Sequence, residues 1–116
     1  MDKDRPIEEV CALLKSLLKD DTNQIIFCTG RVEDYREKTI EQIKKILKGS
    51  KNIDIDSCLY MRPQGDFRKD FMVKRDLYKK MIFDGFNPVL VFEDKITVVE
   101  MWKEMGLKCL RVTGAQ

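Results

Sequence analysis

At 116 residues the chain is the size of one small domain, residues 1–116, and 43% hydrophobic residues suffice for a core. A charged fraction of 36% argues for a soluble, ordered chain, while a net charge of +2 is too small by itself to argue for nucleic-acid binding. The absence of histidine excludes a histidine-containing zinc site and a Cys-His nucleophile. No run approaches ~18 apolar residues and the first residues are charged, so neither a membrane span nor a secretory signal is expected. Cys11, Cys28, Cys58 and Cys109 each sit in an apolar run without a C-x-x-C pair, which suits small buried hydrophobes in a reducing, cytoplasmic setting.

In chain order, Asp4 and Pro6 read as the start of a helix. Ile7, Val10, Leu14, Leu17 and Leu18 carry it at helical spacing to about Lys19. After the turn at residues 20–23, Ile25-Ile26-Phe27-Cys28 is a continuous apolar run, the pattern of a strand buried on both faces, and Thr29-Gly30-Arg31 ends it. A second helix is expected over Val32–Leu47, with Gly49 as its stop. A linker then leads to a short strand, Cys58–Met61. The loop from Tyr60 to Asp70 follows, shaped by Pro63 and Gly65. A third helix is expected over Lys69–Ile82, a strand over Val89–Phe92, a fourth helix carrying Val98, Val99, Trp102 and Met105, and a last strand over Cys109–Val112. Two lysine and arginine clusters, Lys44/Lys45/Lys48/Lys51 and Arg68/Lys69/Lys74/Arg75/Lys79/Lys80, read as solvated helix faces.

Strands alternating with helices of this length imply parallel strands joined by helical crossovers. The expected fold is α/β: a doubly wound, Rossmann-like parallel sheet of about four strands with helices on both faces. In such a sheet the carboxyl ends of the strands share one edge, where ligands bind. That edge collects Thr29/Gly30/Arg31, the Arg62–Asp70 loop and Glu93/Asp94. A hydroxyl, a backbone amide beside glycine and several cations can hold a phosphoryl group, and adjacent carboxylates can hold Mg²⁺.

These segments resemble the haloacid dehalogenase superfamily, specifically the 3′-phosphatase domain of phage-type polynucleotide kinases. Ile25–Arg31 resembles the family's apolar strand ending in Ser/Thr-Gly-Arg. Met61–Asp70 resembles its Gly-Asp-x-Arg-Lys-Asp segment. Val89–Lys95 resembles its fourth motif, usually Asp-Asp-Arg, with Glu93 and Lys95 as departures. The resemblance covers about Arg5 to Val112. It implies Mg²⁺-dependent phosphoryl hydrolysis at a DNA or RNA 3′ end. Thr29 would donate to the phosphoryl group, and Lys69 would neutralise its charge and position the nucleophile. Gly30, Arg31, Arg62 and Arg68 would face phosphate, Asp66 would add a carboxylate to the site, and Asp94 with Glu93 would hold the metal.

The family's first motif, an apolar strand ending in Asp-x-Asp-x-Thr that carries the nucleophile, has no counterpart. Asp2-Lys3-Asp4 has the spacing, but no apolar strand precedes it. In the related fold that strand is the centre of the sheet, between the strands expected at 25–28 and 89–92. Its absence leaves backbone groups unpaired, at about 1–3 kcal/mol for each one buried. Three expectations follow: a phosphatase-type domain inactive as an isolated chain, a non-catalytic module binding phosphate or nucleic-acid ends, or a subunit whose strand comes from a second copy or a partner chain.

Overall fold

The computed structural model describes residues 8–50 and 52–112. The expected helix start at Asp4–Pro6, the Asp2-Lys3-Asp4 stretch and Lys51 lie outside them. The elements are α1 (Glu8–Leu18), β1 (Phe27–Val32), α2 (Arg36–Ile46), β2 (Leu59–Arg62), α3 (Asp70–Phe83), β3 (Leu90–Glu93), α4 (Ile96–Glu104) and β4 (Lys108–Arg111). Single 3₁₀ turns precede α2, at Glu33–Tyr35, and β2, at Asp56–Cys58.

The order of elements follows the hydrophobic pattern. In α1, acidic Glu8 and Glu9 occupy the first turn and Lys15 the last, each matched to the helix dipole. The α1 stripe buries Leu18 against Ile43 and Leu47 near the end of α2 and Leu59 and Met61 of β2. A second core is built on α4 and β4, from Val98, Val99, Met101, Trp102, Leu107 and Cys109. Between them lies α3, whose Val73, Leu77 and Met81 pack on Tyr60, Ile26 and Cys28, while its Tyr78 meets Trp102 edge to face at 5.9 Å. Helix α3 is thus the beam joining the two halves. Gly106, at φ +90°, ends α4 by sending the Leu107 amide back to the Trp102 carbonyl at 3.1 Å, which turns the chain into β4.

The expected single sheet of about four strands is not formed among the described residues. Strand β1 pairs in parallel with β2, and β3 in parallel with β4, as two separate two-stranded sheets. Between β1 and β3 lies a cleft of about 470 Å³, lined by residues 24–28 and 88–93, with Leu14 and Leu17 of α1 and Met81 and Trp102 also on its walls. β1 and β3 therefore each turn one unpaired edge toward an apolar space. Burial records the same opening. The run at residues 25–28, expected to be buried on both faces, is half-buried throughout, and Leu90 of β3 is exposed.

Candidate functional site

The carboxyl ends of β1 and β2 are tied to the start of α3 by one side chain, Arg62. Register slips between Thr29↔Met61 and Val32↔Arg62, so Gly30 and Arg31 form a bulge in β1 beside the last residue of β2. The Arg62 Nε donates to the Gly30 carbonyl at 2.8 Å. Its Nη1 donates to the carbonyls of Asp66 at 2.9 Å and Arg68 at 2.6 Å, and its Nη2 to Asp70 Oδ1 at 2.5 Å. One guanidinium thus fixes the β1 bulge, the loop and the first turn of α3. The loop between is a turn closed by the Asp66 amide on the Pro63 carbonyl at 3.2 Å, with Gly65 at φ +79° in the position that requires it.

Asp70 links this unit to β3 and α4. Its Oδ2 accepts from Lys95 Nζ at 3.0 Å. Burial pushes the Asp70 carboxyl up, but hydrogen bonds from Lys95 and Arg62 outweigh burial and hold it below the usual carboxylate range. Beneath lies a buried ion pair. Lys74 Nζ stands 3.1 Å from Glu93 Oε1, and the Glu93 carboxylate also accepts from Trp102 Nε1 at 3.2 Å and the Asp94 amide at 3.2 Å. Lys74, Glu93 and Asp70 all bear on Cys28, where burial above all pushes the thiol up to about 12; it is a protonated lining group, not a nucleophile.

The residues singled out from sequence are placed as follows. Thr29 is half-buried at the bulge; its hydroxyl accepts from the Arg31 amide at 3.2 Å, which leaves its own proton to donate. Arg31 turns to α2, with Nη1 at 2.7 Å from Gln42 and 3.3 Å from Thr39. Arg68 is held between Asp66 and Asp76, each at 2.8 Å. Hydrogen bonds from the Arg68 side chain and amide hold Asp66 at about 2. Lys69 is exposed at the N-cap of α3, and its ammonium has no partner among the described residues. Asp94 is exposed, and its carboxylate likewise has none. Arg62, Asp70, Glu93 and Asp94 come together at one edge, Lys69 and Thr29 border it, and Arg31 points away toward α2.

Sequence reasoning missed two members. Lys74 was grouped with a solvated cationic face, yet it is buried, with 8% of its surface exposed. The available signal was its position between Val73 and Leu77, one turn after Asp70, on the inward side of α3. Asp70 closes the Gly-Asp-x-Arg-Lys-Asp segment, where the sequence assigns it no role, and it joins the ion pairs of Arg62 and Lys95.

A metal ion is not enclosed by this donor set. Among the described residues no three histidine, cysteine, aspartate or glutamate side chains converge on a point. Glu93 is committed to four donors, which leaves the single carboxylate of Asp94.

A mixed α/β domain with parallel strands and this constellation at their carboxyl ends is of the haloacid dehalogenase type. Residues 1–116 match the family described as the polynucleotide kinase PNKP phosphatase domain, and the chain belongs to that family. It is also 33% identical over 84 residues to a protein of Autographa californica nuclear polyhedrosis virus named "Putative bifunctional polynucleotide kinase/RNA ligase". That match covers 72% of this chain and 11% of the viral protein, so the chain spans about a tenth of the relative's length. Among the described residues no helix is long and apolar enough to cross a membrane.

Proposed function

We propose that this chain is a polynucleotide 3′-phosphatase-type domain that recognises a phosphorylated 3′ end of DNA or RNA, and that its described residues do not include the carboxylate nucleophile. The observation that carries the reading is the edge where Arg62, Asp70 and the Lys74–Glu93 pair lock three strand ends together. Beside it stand a hydroxyl with a proton to give (Thr29), an unpaired ammonium (Lys69) and an unpaired carboxylate (Asp94). Lys69 and Thr29 suit the non-bridging phosphate oxygens. Asp94 suits Mg²⁺, which takes few protein ligands and completes its shell with water and substrate phosphate. Haloacid dehalogenase phosphatases generally use this ion.

Covalent catalysis needs a free carboxylate facing the phosphorus. Asp70, Glu93 and Asp66 are each held by cations, and the space between β1 and β3 is open. Asp94 is the carboxylate left free, and it is assigned to the metal, so the described residues bind the phosphorylated end without supplying the nucleophile. Binding is tested with 3′-phosphorylated and 3′-hydroxyl oligonucleotides, alongside phosphate release in Mg²⁺. Preference for the phosphorylated end with no release is expected. Turnover abolished by Asp94→Ala would overturn the inactive reading, and equal binding to both ends would overturn the whole proposal.

A second reading is favoured by the cleft itself: a strand from a second copy or a partner chain enters between β1 and β3 and completes one five-stranded parallel sheet. Sizing in solution tests the self-association form, which fails if the chain is a monomer at high concentration. The free cysteines, Cys11, Cys28, Cys58 and Cys109, suit work in a reducing compartment such as the cytoplasm.

A further inference from the structure

We infer that Phe67 is a stacking platform for a nucleobase next to the phosphorylated end; the inference rests on the polynucleotide reading above. Phe67 is 95% exposed, the most exposed of the large hydrophobic residues among those described. Exposure of a phenyl ring is ordinary on a loose loop, but this loop is clamped on both sides of the residue. Arg62 Nη1 takes the carbonyl before Phe67, that of Asp66 at 2.9 Å, and the carbonyl after it on Arg68 at 2.6 Å. The Arg68 amide closes onto Asp66 Oδ1 at 3.1 Å, and the Arg68 side chain is pinned to Asp66 and Asp76. Three hydrogen bonds on the backbone of the flanking Asp66 and Arg68 thus fix the position of a residue whose side chain is almost wholly exposed among the described residues. The ring is preorganised, and ordering it on a ligand costs little.

The surroundings select the ligand. Phe67 lies two residues from Lys69, the unpaired cation assigned above to phosphate, while the intervening Arg68 guanidinium is spent on Asp66 and Asp76. An aromatic face beside a free cation is a combination that holds single-stranded nucleic acid, with the cation on the backbone and the ring under a base. Phe83, 89% exposed, supplies the contrast. It ends α3, 13 residues beyond Asp70, about 20 Å away at the helical rise. No unpaired site group accompanies it there.

The experiment is a binding series on the full chain. The probes are a 3′-phosphorylated oligonucleotide with a normal terminal base and the same oligonucleotide with an abasic terminal sugar. Phe67→Ala is expected to weaken binding to the first about tenfold, the scale of one base stack, and to leave binding to the abasic probe unchanged. Phe67→Trp retains wild-type affinity or exceeds it, and Phe83→Ala matches wild type on both probes. Equal affinity of wild type and Phe67→Ala for the base-containing probe overturns the stacking role and leaves the phosphate reading standing. Equal loss on both probes assigns Phe67 to the sugar-phosphate and also overturns it. Failure of wild type to bind either probe overturns the polynucleotide reading and the inference with it.

Discussion

Asp70 lies so close to Gly30 that a Cβ built on the glycine would stand 2.5 Å from the Asp70 Oδ1. Gly30 is therefore required for space, not for its backbone angle, since it is absent from the residues at positive φ. The bare Cα lets the first turn of α3 close onto the β1 bulge, and that closure brings Arg62 within reach of both.

Gly30→Ala should therefore act through Asp70. The carboxylate cannot swing away cheaply, because Arg62 and Lys95 hold it from two sides. Overpacking of this kind costs about 1–3 kcal/mol. Urea titration should show that loss in wild type and little of it in an Asp70→Ala background, where the obstructing atoms are gone. An equal loss in both backgrounds would mean that the contact is not the cause.

The buried Lys74–Glu93 pair and the exposed Lys69 predict opposite behaviour for two nearby lysines. Lys74→Met strands the Glu93 carboxylate with only neutral donors and should cost about 3–5 kcal/mol. Adding Glu93→Gln should recover part of it, because the amide oxygen keeps an acceptor for Trp102. Lys69→Ala removes no partner and should stay within about 0.5 kcal/mol of wild type, while weakening binding of a 3′-phosphate. Trp102 is the single tryptophan of the chain, so its fluorescence reads the unfolding of all four proteins.

The order of elements was legible from local pattern, and the joining of the sheets was not. Apolar runs and helical spacing place every helix and strand within a few residues, because periodicity is a local signal. β1 starts later than expected and continues through Thr29-Gly30-Arg31 to Val32, because the bulge allows Arg62 to pair beyond the glycine. Which strands pair is a long-range matter that no local pattern states. The site divides in the same way. The Thr-Gly-Arg and Gly-Asp-Phe-Arg-Lys-Asp segments are visible as motifs, but motif and helix face do not reveal that Arg62 and Arg68 spend their donors within the protein. Nor does charge counting distinguish Lys74, which faces inward, from Lys79 and Lys80, which are exposed.

Acid should loosen this edge first. The folded-state values of Asp66 and Asp70 both lie below the ordinary carboxylate range. Each folded form then binds fewer protons than the unfolded chain, whose aspartates titrate near ~3.9. Their contribution is complete above that value and is lost as pH falls through the folded values. For Asp66 that means a loss extending from about pH 4 to about 2. Stability measured by urea titration at closely spaced pH should decline across this window. The decline should be shallower in Asp66→Asn and in Asp70→Asn, and an unchanged slope in both would refute the assignment.

The open edges of β1 and β3 make the last prediction. Each strand has one paired neighbour, β2 or β4, and one edge on the cleft. In the isolated chain, amides directed at β2 and β4 should exchange with solvent deuterium only through larger openings, whereas those directed at the cleft should exchange with little protection. The contrast should therefore alternate along 27–29 and 90–93, since successive residues of a strand turn to opposite edges. Nuclear magnetic resonance at single-residue resolution resolves the pattern. A completed sheet would protect both sets alike, so uniform protection in a monomer would show that the two halves have closed on each other. Uniform protection that appears only with self-association would instead place a strand of a second copy in the cleft, and loss of the alternation on dilution would confirm its source.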